Sequence, residues 1–338
     1  MKTLAELTER MSRPTSGLVE DLKELDGDLI VLGAGGKLGP SLVQLALRGM
    51  AQAGRGDRVI AVSRFSQPGV AHALREAGAH VIEGDVASED TLRSLPDAAN
   101  VIYLVGAKFG TSGREHHTWA TNTYLPGRVA ERFAGARIVA LSTGNVYPLV
   151  PVTSGGCDET VPPAPVGEYA MSCLGRERIL AHFCERHGTP IALARLNYAV
   201  EMRYGVLVDI GRAVQSGQPV DVTMGHVNVV WQGYANTVIL RLLRHAATPP
   251  FVLNIAGPET VSVRHVAETF GRLFGREARV VGEEASTALL SNAQRCHALF
   301  GYPDLPLGTL VDDTARWLAA GLPLLDKPTH FQRRDGVF

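Results

Sequence analysis

The chain has 338 residues, a formal net charge of -1 and no block of like charge. This length can bury a large core and can hold a nucleotide-binding domain plus a smaller lobe. The near-neutral charge gives no basis for a nucleic-acid or membrane partner, so we expect a small-molecule ligand. Neither CxxC spacing nor a disulfide framework relates the four cysteines, Cys157, Cys173, Cys184 and Cys296. They predict free thiols in a reducing cytoplasm and no metal site.

The amino-terminal part is predicted to be helical. Two short amphipathic helices, at 4–11 and 18–25, form an extension over residues 1–27 that packs outside the first strand.

From residue 28 onward, short apolar runs alternate with amphipathic stretches. We predict strands at 29–32, 59–62, 79–83, 101–105, 137–141, 191–196 and 251–255. We predict helices at 72–77, 88–95, 115–133, 167–187 and 207–215. Strand followed by helix, repeated, predicts an α/β protein with a doubly wound parallel sheet of the Rossmann type.

The predicted organisation after residue 200 is less regular. We interpret residues 28–200, with about 226–257, as a dinucleotide-binding Rossmann domain. A smaller, discontinuous carboxy-terminal α/β lobe, at about 201–225 and 258–322, is expected to cover the substrate, and 323–338 is an extended tail.

A glycine cluster follows the first strand. Gly33 permits a tight turn, Gly36 lets the backbone approach a phosphate, and Gly39 lets a helix pack closely on the strand. The amide groups at such a helix start bind a diphosphate. The loop therefore predicts a dinucleotide held by Gly33, Gly35, Gly36, Lys37, Leu38 and Gly39.

The end of the second strand bears on the choice of dinucleotide. An acidic residue there would bind the ribose hydroxyls of NAD, but this chain has Ser63 and Arg64, which suit the 2′-phosphate of NADP. NADP is therefore favoured and NAD remains open, because Arg64 could also be solvated or stack on the adenine.

Three later motifs extend the pattern: Leu141-Ser142-Thr143-Gly144-Asn145-Val146-Tyr147, then Glu168-Tyr169-Ala170-Met171-Ser172-Cys173, then Ala194-Arg195-Leu196-Asn197-Tyr198. Together with the glycine loop they resemble the extended (atypical) short-chain dehydrogenases/reductases, the NAD-dependent epimerase/dehydratase family. The resemblance covers nearly the whole chain from residue 28.

The resemblance implies roles for individual residues. Tyr169 falls on the catalytic acid/base tyrosine and Thr143 on the hydroxyl that anchors the substrate oxygen. Further cofactor contacts are implied at Asp85, Val86, Val105, Gly106, Ala107 and Asn122. Substrate contacts are expected at Lys108, Asn145, Asn197, Arg203 and His226.

One position departs from the family pattern. The family has a lysine four residues after the tyrosine, where this chain has Cys173. A cation about 4 Å from a tyrosine contributes roughly 4 kcal/mol at an effective dielectric of about 20, or about three pKa units. The predicted substitute for this charge is Lys108, in the loop after the fourth strand, with Arg176 as the weaker candidate. Cys173 itself is either packing or a nucleophile.

The sequence predicts an NAD(P)-dependent oxidoreductase, or an epimerase or dehydratase passing through a keto intermediate. Its substrate is expected to be a hydroxylated small molecule, a sugar or a sugar derivative. Two alternatives stay open: a cofactor-binding sensor that has lost catalysis, and a lyase or isomerase without hydride transfer. By resemblance only, a homodimer is expected through the helices at 115–133 and 167–187.

Overall fold

The computed structural model describes residues 1–109 and 113–337. Residues 110–112, in the loop that contains Lys108, and residue 338, at the end of the tail, lie outside the described part. Within it, seven parallel strands form one sheet. They are β1 Leu29–Leu32, β2 Val59–Ser63, β3 His80–Glu83, β4 Asn100–Tyr103, β5 Arg137–Thr143, β6 Ile191–Leu196 and β7 Phe251–Ile255.

The sheet has the order β7-β6-β5-β4-β1-β2-β3. The chain runs outward from β1 through β2 to β3 and then returns to place β4 on the other side of β1. Such a reversal opens a crevice beyond the carboxyl ends of β1 and β4, where ligands of these folds bind. The predicted doubly wound α/β fold is confirmed.

Helices cover both faces of the sheet. They are α1 Leu4–Met11, α2 Ser16–Lys23, α3 Gly39–Gln52, α4 Val70–Glu76, α5 Glu89–Ser94, α6 Glu115–Trp119, α7 Leu125–Arg132, α8 Gly167–His187, α9 Val206–Ser216, α10 Gln232–Arg241, α11 Val263–Phe274, α12 Gln294–Phe300 and α13 Leu307–Ala319. Short 3-10 turns lie at Gly144–Val146 and Leu242–His245. Two-residue strands pair Val150–Pro151 with Thr287–Ala288, Ala199–Val200 with Val230–Trp231, Val220–Asp221 with Val280–Val281, and His226–Val227 with Val261–Ser262.

The helix predicted over 115–133 is interrupted. Between α6 and α7 the backbone forms a π-helical turn, Ala120–Tyr124. Pro126 has no N–H, so it cannot donate to the carbonyl of Asn122 four residues earlier. That carbonyl instead accepts a bond from Arg176 Nε at 3.1 Å. The π turn therefore faces α8, and turns of this kind often occur at functional sites.

The second lobe shares its core with the sheet. Helices α9, α11 and α13 pack on one another, and Phe270 and Trp317 from these helices belong to the same buried cluster as Leu29 and Val31 of β1. The predicted division into domains stays an interpretation of the sequence.

The tail after α13 returns along the molecule to the sheet's ligand-binding edge. Thr329 donates to Asp209 Oδ2 on α9, and Arg334 donates to the carbonyl of Thr287. Gly336 then packs against Val166, the residue before α8. One end of the tail thus reaches the start of the helix that carries Tyr169.

Candidate functional site

The glycine loop between β1 and α3 has the shape that a diphosphate requires. Gly33 has φ +90°, and an added Cβ there would lie 3.1 Å from the carbonyl carbon of Leu104. A Cβ at Gly39 would overlap the carbonyl oxygen of Ala34. Helix α3 begins at Gly39 without a side-chain cap, which leaves its first N–H groups available to an anion. These residues fit a dinucleotide cofactor, although its contacts remain predictions.

The end of β2 lies beside this loop. A Cβ at Gly35 would be 2.8 Å from Ser63 Oγ, so Ser63 closes one side of the loop. The Arg64 side chain is 76% exposed, and its Nη1 lies 3.9 Å from a carboxylate oxygen of Asp85. Because this pair is open to solvent, Arg64 can turn toward a phosphate at little cost. Val86 is buried in the apolar layer below.

Asn122 clamps the loop that follows β4. Its Oδ1 accepts from Ala107 N, and its Nδ2 donates to the Ala107 carbonyl, both at 2.8 Å. The same Nδ2 donates to Ser172 Oγ at 3.0 Å. The buried amide therefore ties the segment Val105, Gly106 and Ala107 to α8 and fixes the floor of the cleft.

Arg176 is a buried cation beneath this clamp. Its side chain donates to the carbonyl of Leu141, on β5, at 2.5 Å, and to Asn122 Oδ1 at 3.0 Å. A Cβ at Gly106 would be 3.0 Å from Nη2. No carboxylate in the described residues forms an ion pair with Arg176, so its charge is stabilised by oxygen dipoles and by the Tyr103 ring, whose centroid is 5.7 Å from Cζ. Its positive charge acts to lower the pKa of Tyr169 and of Cys173, against the larger rise that burial causes in each.

Tyr169 and Thr143 meet at the end of β5. Burial raises the pKa of Tyr169 far above its usual range, and the nearby Cys173 thiol raises it further, while Arg176 and a hydrogen bond with Thr143 oppose the rise. Thr143 Oγ1 also donates to Asn145 Oδ1 at 3.0 Å. The tyrosine is therefore protonated at neutral pH, as expected where the usual lysine is absent.

Cys173 is packed rather than exposed. Its side chain is 1% accessible and contacts the cluster formed by Val146, Tyr147 and Cys157. Burial raises the pKa of its thiol, so the nucleophilic thiolate is disfavoured. This environment supports the packing alternative, with a hydrogen bond to Tyr169 as its polar contact.

Lys108 lies close to Tyr169, as a substitute for the missing lysine would have to. Its Nζ is 5.5 Å from the centroid of the Tyr169 ring and 5.3 Å from that of Phe109. Burial lowers the pKa of Lys108 to about 8, and the Cys173 thiol partly offsets this. The ammonium stands over the ring face, within the range of a cation–π contact. Its catalytic role remains a prediction.

These groups surround one cavity of about 190 Å³. Its polar wall includes Lys37, Lys108, Thr143, Asn145, Tyr169 and Asn197. The amide Nδ2 of Asn197 is buried, and no described residue accepts a hydrogen bond from it. An unpaired buried donor beside a cavity is available to an acceptor atom of a ligand.

Two expected substrate contacts do not line this cavity. Arg203 donates to the buried carboxylate of Glu201 at 3.0 Å, and His226 pairs with Ser262 in a short strand. Contact of either residue with a substrate stays a prediction.

The cavity wall contains residues that the sequence reasoning missed. Tyr198 directly follows Asn197, so its motif could have indicated it. Tyr204 precedes α9, and Thr329 lies in the tail. No sequence signal marked Tyr204 or Thr329, because only tertiary packing brings them to the sheet edge.

A further search of the described residues finds no cluster of His, Cys, Asp and Glu suited to a metal ion. Nor does any helix in residues 1–109 or 113–337 have the length and apolar content needed to cross a membrane.

A Rossmann sheet with a glycine-rich first turn, and with Thr143 and Tyr169 at the end of β5, defines a nucleotide-dependent enzyme of the extended short-chain dehydrogenase/reductase class. The model of the NAD dependent epimerase/dehydratase family matches residues 29–200, half of the chain. The chain belongs to this family, as the sequence motifs indicated, and it is an enzyme of that class.

Solved structures share the fold at low identity. UDP-glucuronic acid 4-epimerase from Bacillus cereus, in complex with a fluorinated UDP-glucuronic acid and NAD, is 16% identical with a TM-score of 0.73, covering 86% of this chain and 99% of its own. UDP-glucose 4-epimerase from Thermotoga maritima is 17% identical with a TM-score of 0.69, covering 87% and 99%. dTDP-glucose 4,6-dehydratase from Streptomyces venezuelae is 17% identical with a TM-score of 0.73, covering 86% and 97%. The comparison with curated protein sequences gives no match.

Proposed function

We propose that this enzyme is an NADP-preferring oxidoreductase, or an epimerase or dehydratase that passes through a keto intermediate, acting on a hydroxylated sugar or sugar derivative. One observation carries the proposal: Thr143 and Tyr169 share a hydrogen bond at the wall of a cavity beside the glycine loop. The structural relatives that bind NAD and nucleotide sugars support the substrate class.

The chain's own groups handle the proton. The nicotinamide, when bound, supplies or accepts the hydride. Tyr169 holds its proton because burial raises its pKa, so it is suited to donate to a substrate oxygen that gains negative charge. Thr143, which donates to Asn145 in this structure, can turn to anchor the same oxygen. At neutral pH the free protein therefore has Tyr169 in the protonation state that reduction of a carbonyl requires.

NADP is favoured over NAD by the residues at the end of β2. Arg64 is exposed and charged there, and the position that would hold a carboxylate in an NAD site is Ser63. The NAD seen in the relatives keeps both cofactors within the proposal.

A cofactor-binding sensor is the second candidate, because Cys173 stands in place of the lysine and Tyr169 is hard to ionise. Fluorescence titration with NADPH and NADH, followed by a panel of sugars, sugar acids and nucleotide sugars, separates the two candidates. We expect substrate-dependent oxidation or reduction of the cofactor that Tyr169→Phe abolishes. Tyr302→Phe is the control, since Tyr302 is 71% exposed.

Cofactor binding without turnover in any panel member would favour the sensor. Failure to bind either cofactor would overturn the whole proposal.

We further propose a homodimer through the outer face of α6 and α8. Trp119 on α6, Tyr124 at the end of the π turn and Met171 on α8 are exposed by 38%, 66% and 38%, and apolar side chains grouped at a surface are typical of a protein interface. Sedimentation analysis of the wild type and Tyr124→Glu tests this, with a dimer expected only for the wild type. The cytoplasmic location stays a prediction from the cysteine pattern.

A further inference from the structure

Lys37 belongs to the glycine loop, but its side chain extends into the cavity beside Tyr169. Its Nζ donates to the carbonyl of Ala199 at 2.6 Å and lies 3.5 Å from the centroid of the Tyr204 ring. An ammonium group has three N–H donors, and a described oxygen accepts from one of them. Within the described residues, Lys37 makes no ion pair. The side chain is therefore a partly buried amine directed at the ligand space.

The charged groups around Lys37 act on its ammonium in opposite directions. Glu201 and Asp209 attract the ammonium, whereas Lys108 and Arg203 repel it. Glu201 is already paired with Arg203 at 3.0 Å.

Asp209 is likewise occupied elsewhere, since its Oδ2 accepts from Thr329 Oγ1 at 2.6 Å. Neither carboxylate is among the residues that line the cavity, and the described lining contains two lysines and no Asp or Glu. No carboxylate among the described lining residues therefore offsets the two lysines.

Hydrogen-bond donors accompany this charge. The orphaned Nδ2 of Asn197 and the hydroxyls of Thr143 and Tyr169 share the cavity wall with Lys37. A wall rich in donors and cations matches a ligand rich in acceptor oxygens.

We propose that the substrate is an anion: Lys37 and Asn197 bind the acidic oxygens, of a carboxylate or a phosphate, on the hydroxylated molecule that Tyr169 acts on. This inference rests on the proposed function and narrows it to a substrate class. It also separates Lys37 from the cofactor's phosphates, to which its place in the loop had assigned it.

Binding of such an anion is coupled to the uptake of a proton by Lys37. Burial lowers the pKa of Lys37 to about 7 in the free protein, so about half of the molecules carry the charge at that pH. A bound anion raises this pKa, and the protein takes up a proton when the anion binds near neutral pH. Affinity is therefore highest below pH 7 and declines as the pH rises above it.

The test compares matched sugar probes and follows the NMR signal of Lys37, which can be assigned because the chain has five lysines. With lysine labelled by carbon-13 at Cε, five side-chain resonances are expected, and Lys37→Met identifies that of Lys37. The probes are glucose, glucuronate and glucose 6-phosphate, added to the NADPH-saturated protein. Glucuronate and the phosphate distinguish the two possible acidic groups, and glucose lacks both.

We expect at least one anionic probe, and not glucose, to shift the Lys37 resonance and raise its titration midpoint. Calorimetry in buffers of different ionisation enthalpy should show proton uptake. Lys37→Met should weaken binding of that anion about tenfold or more, the value of a charge-assisted hydrogen bond, and should remove the pH dependence. Lys23→Met, at an exposed lysine on α2, should behave as the wild type. If Lys37→Met fails to fold, Lys37→Arg is used instead and should retain the preference for the anion.

An equal response to glucose, or no response to either anion up to the solubility limit, would overturn the inference. So would undiminished anion binding by folded Lys37→Met. NADPH binding with turnover of neutral sugars would leave the proposed function intact while refuting this inference. Failure of the wild type to bind either NADPH or NADH would instead refute the proposed function.

Discussion

Restoring a lysine at position 173 should lower the pKa of Tyr169. Tyr169 and residue 173 are one turn apart on α8, so Cys173→Lys places an ammonium beside the phenol. At about 4 Å and an effective dielectric of about 20, the interaction is worth roughly 4 kcal/mol, or about three pKa units. The position is 1% exposed, so the burial that now raises the pKa of Tyr169 remains.

Spectrophotometric titration of tyrosinate measures this change. The chain has eight tyrosines, so the signal of Tyr169 is taken as the difference between each protein and its Tyr169→Phe counterpart. We expect the Tyr169 midpoint to move down by about three units in Cys173→Lys. In the oxidising direction, where the ionised tyrosine is the base, the acid limb of the pH–rate profile should move down with it.

Cys173→Met is the matched control, since it adds similar bulk without charge next to Val146 and Tyr147. An equal shift in Cys173→Met would mean that packing, and not charge, sets the pKa. An unchanged midpoint in Cys173→Lys would refute the reasoning in another way, because it would show that Arg176 and Lys108 already supply the missing charge.

Three further predictions concern the cofactor cradle and the core. Gly39→Ala should lower the melting temperature and abolish NADPH binding, because its Cβ overlaps the glycine loop. Gly308→Ala is the contrasting variant: it has open space around it and should stabilise the fold by about 0.5–1 kcal/mol in thermal unfolding. Arg64→Glu should weaken NADPH about tenfold or more relative to NADH in fluorescence titrations, and an unchanged ratio would show that Arg64 does not read the 2′-phosphate. Glu177→Gln leaves the buried Arg195 unpaired and should cost about 3–5 kcal/mol in urea denaturation, so a loss below about 1 kcal/mol would contradict a buried ion pair.

The ion pair between Glu177 and Arg195 shows what sequence reasoning could not reach. Both residues stand within recognised motifs or elements, yet nothing in their spacing reveals that the carboxylate also accepts from Ser142 at 2.6 Å. The π turn at Ala120–Tyr124 could not be predicted either. The carbonyl to which Pro126 cannot donate accepts instead from Arg176, which lies on a different helix.

The sheet, the glycine loop and the relation between Tyr169 and Cys173 could all be predicted from the amino-acid sequence. These features are local: a buried strand is a short apolar run, a tight turn needs glycine, and residues four apart on a helix share a face. The helices and strands that the sequence predicted therefore lie within a few residues of those in the structure, except that the π turn Ala120–Tyr124 interrupts the helix predicted over 115–133.

The wall of the cavity opposite the glycine loop could not be predicted from the sequence. Whether Lys37 points to phosphate or to the substrate depends on Ala199 and Tyr204, which the fold brings to the glycine loop from beyond β6. Thr329 reaches the cavity because Asp209 holds the tail there. Such contacts join residues far apart in the chain, and their geometry depends on packing that no local pattern encodes.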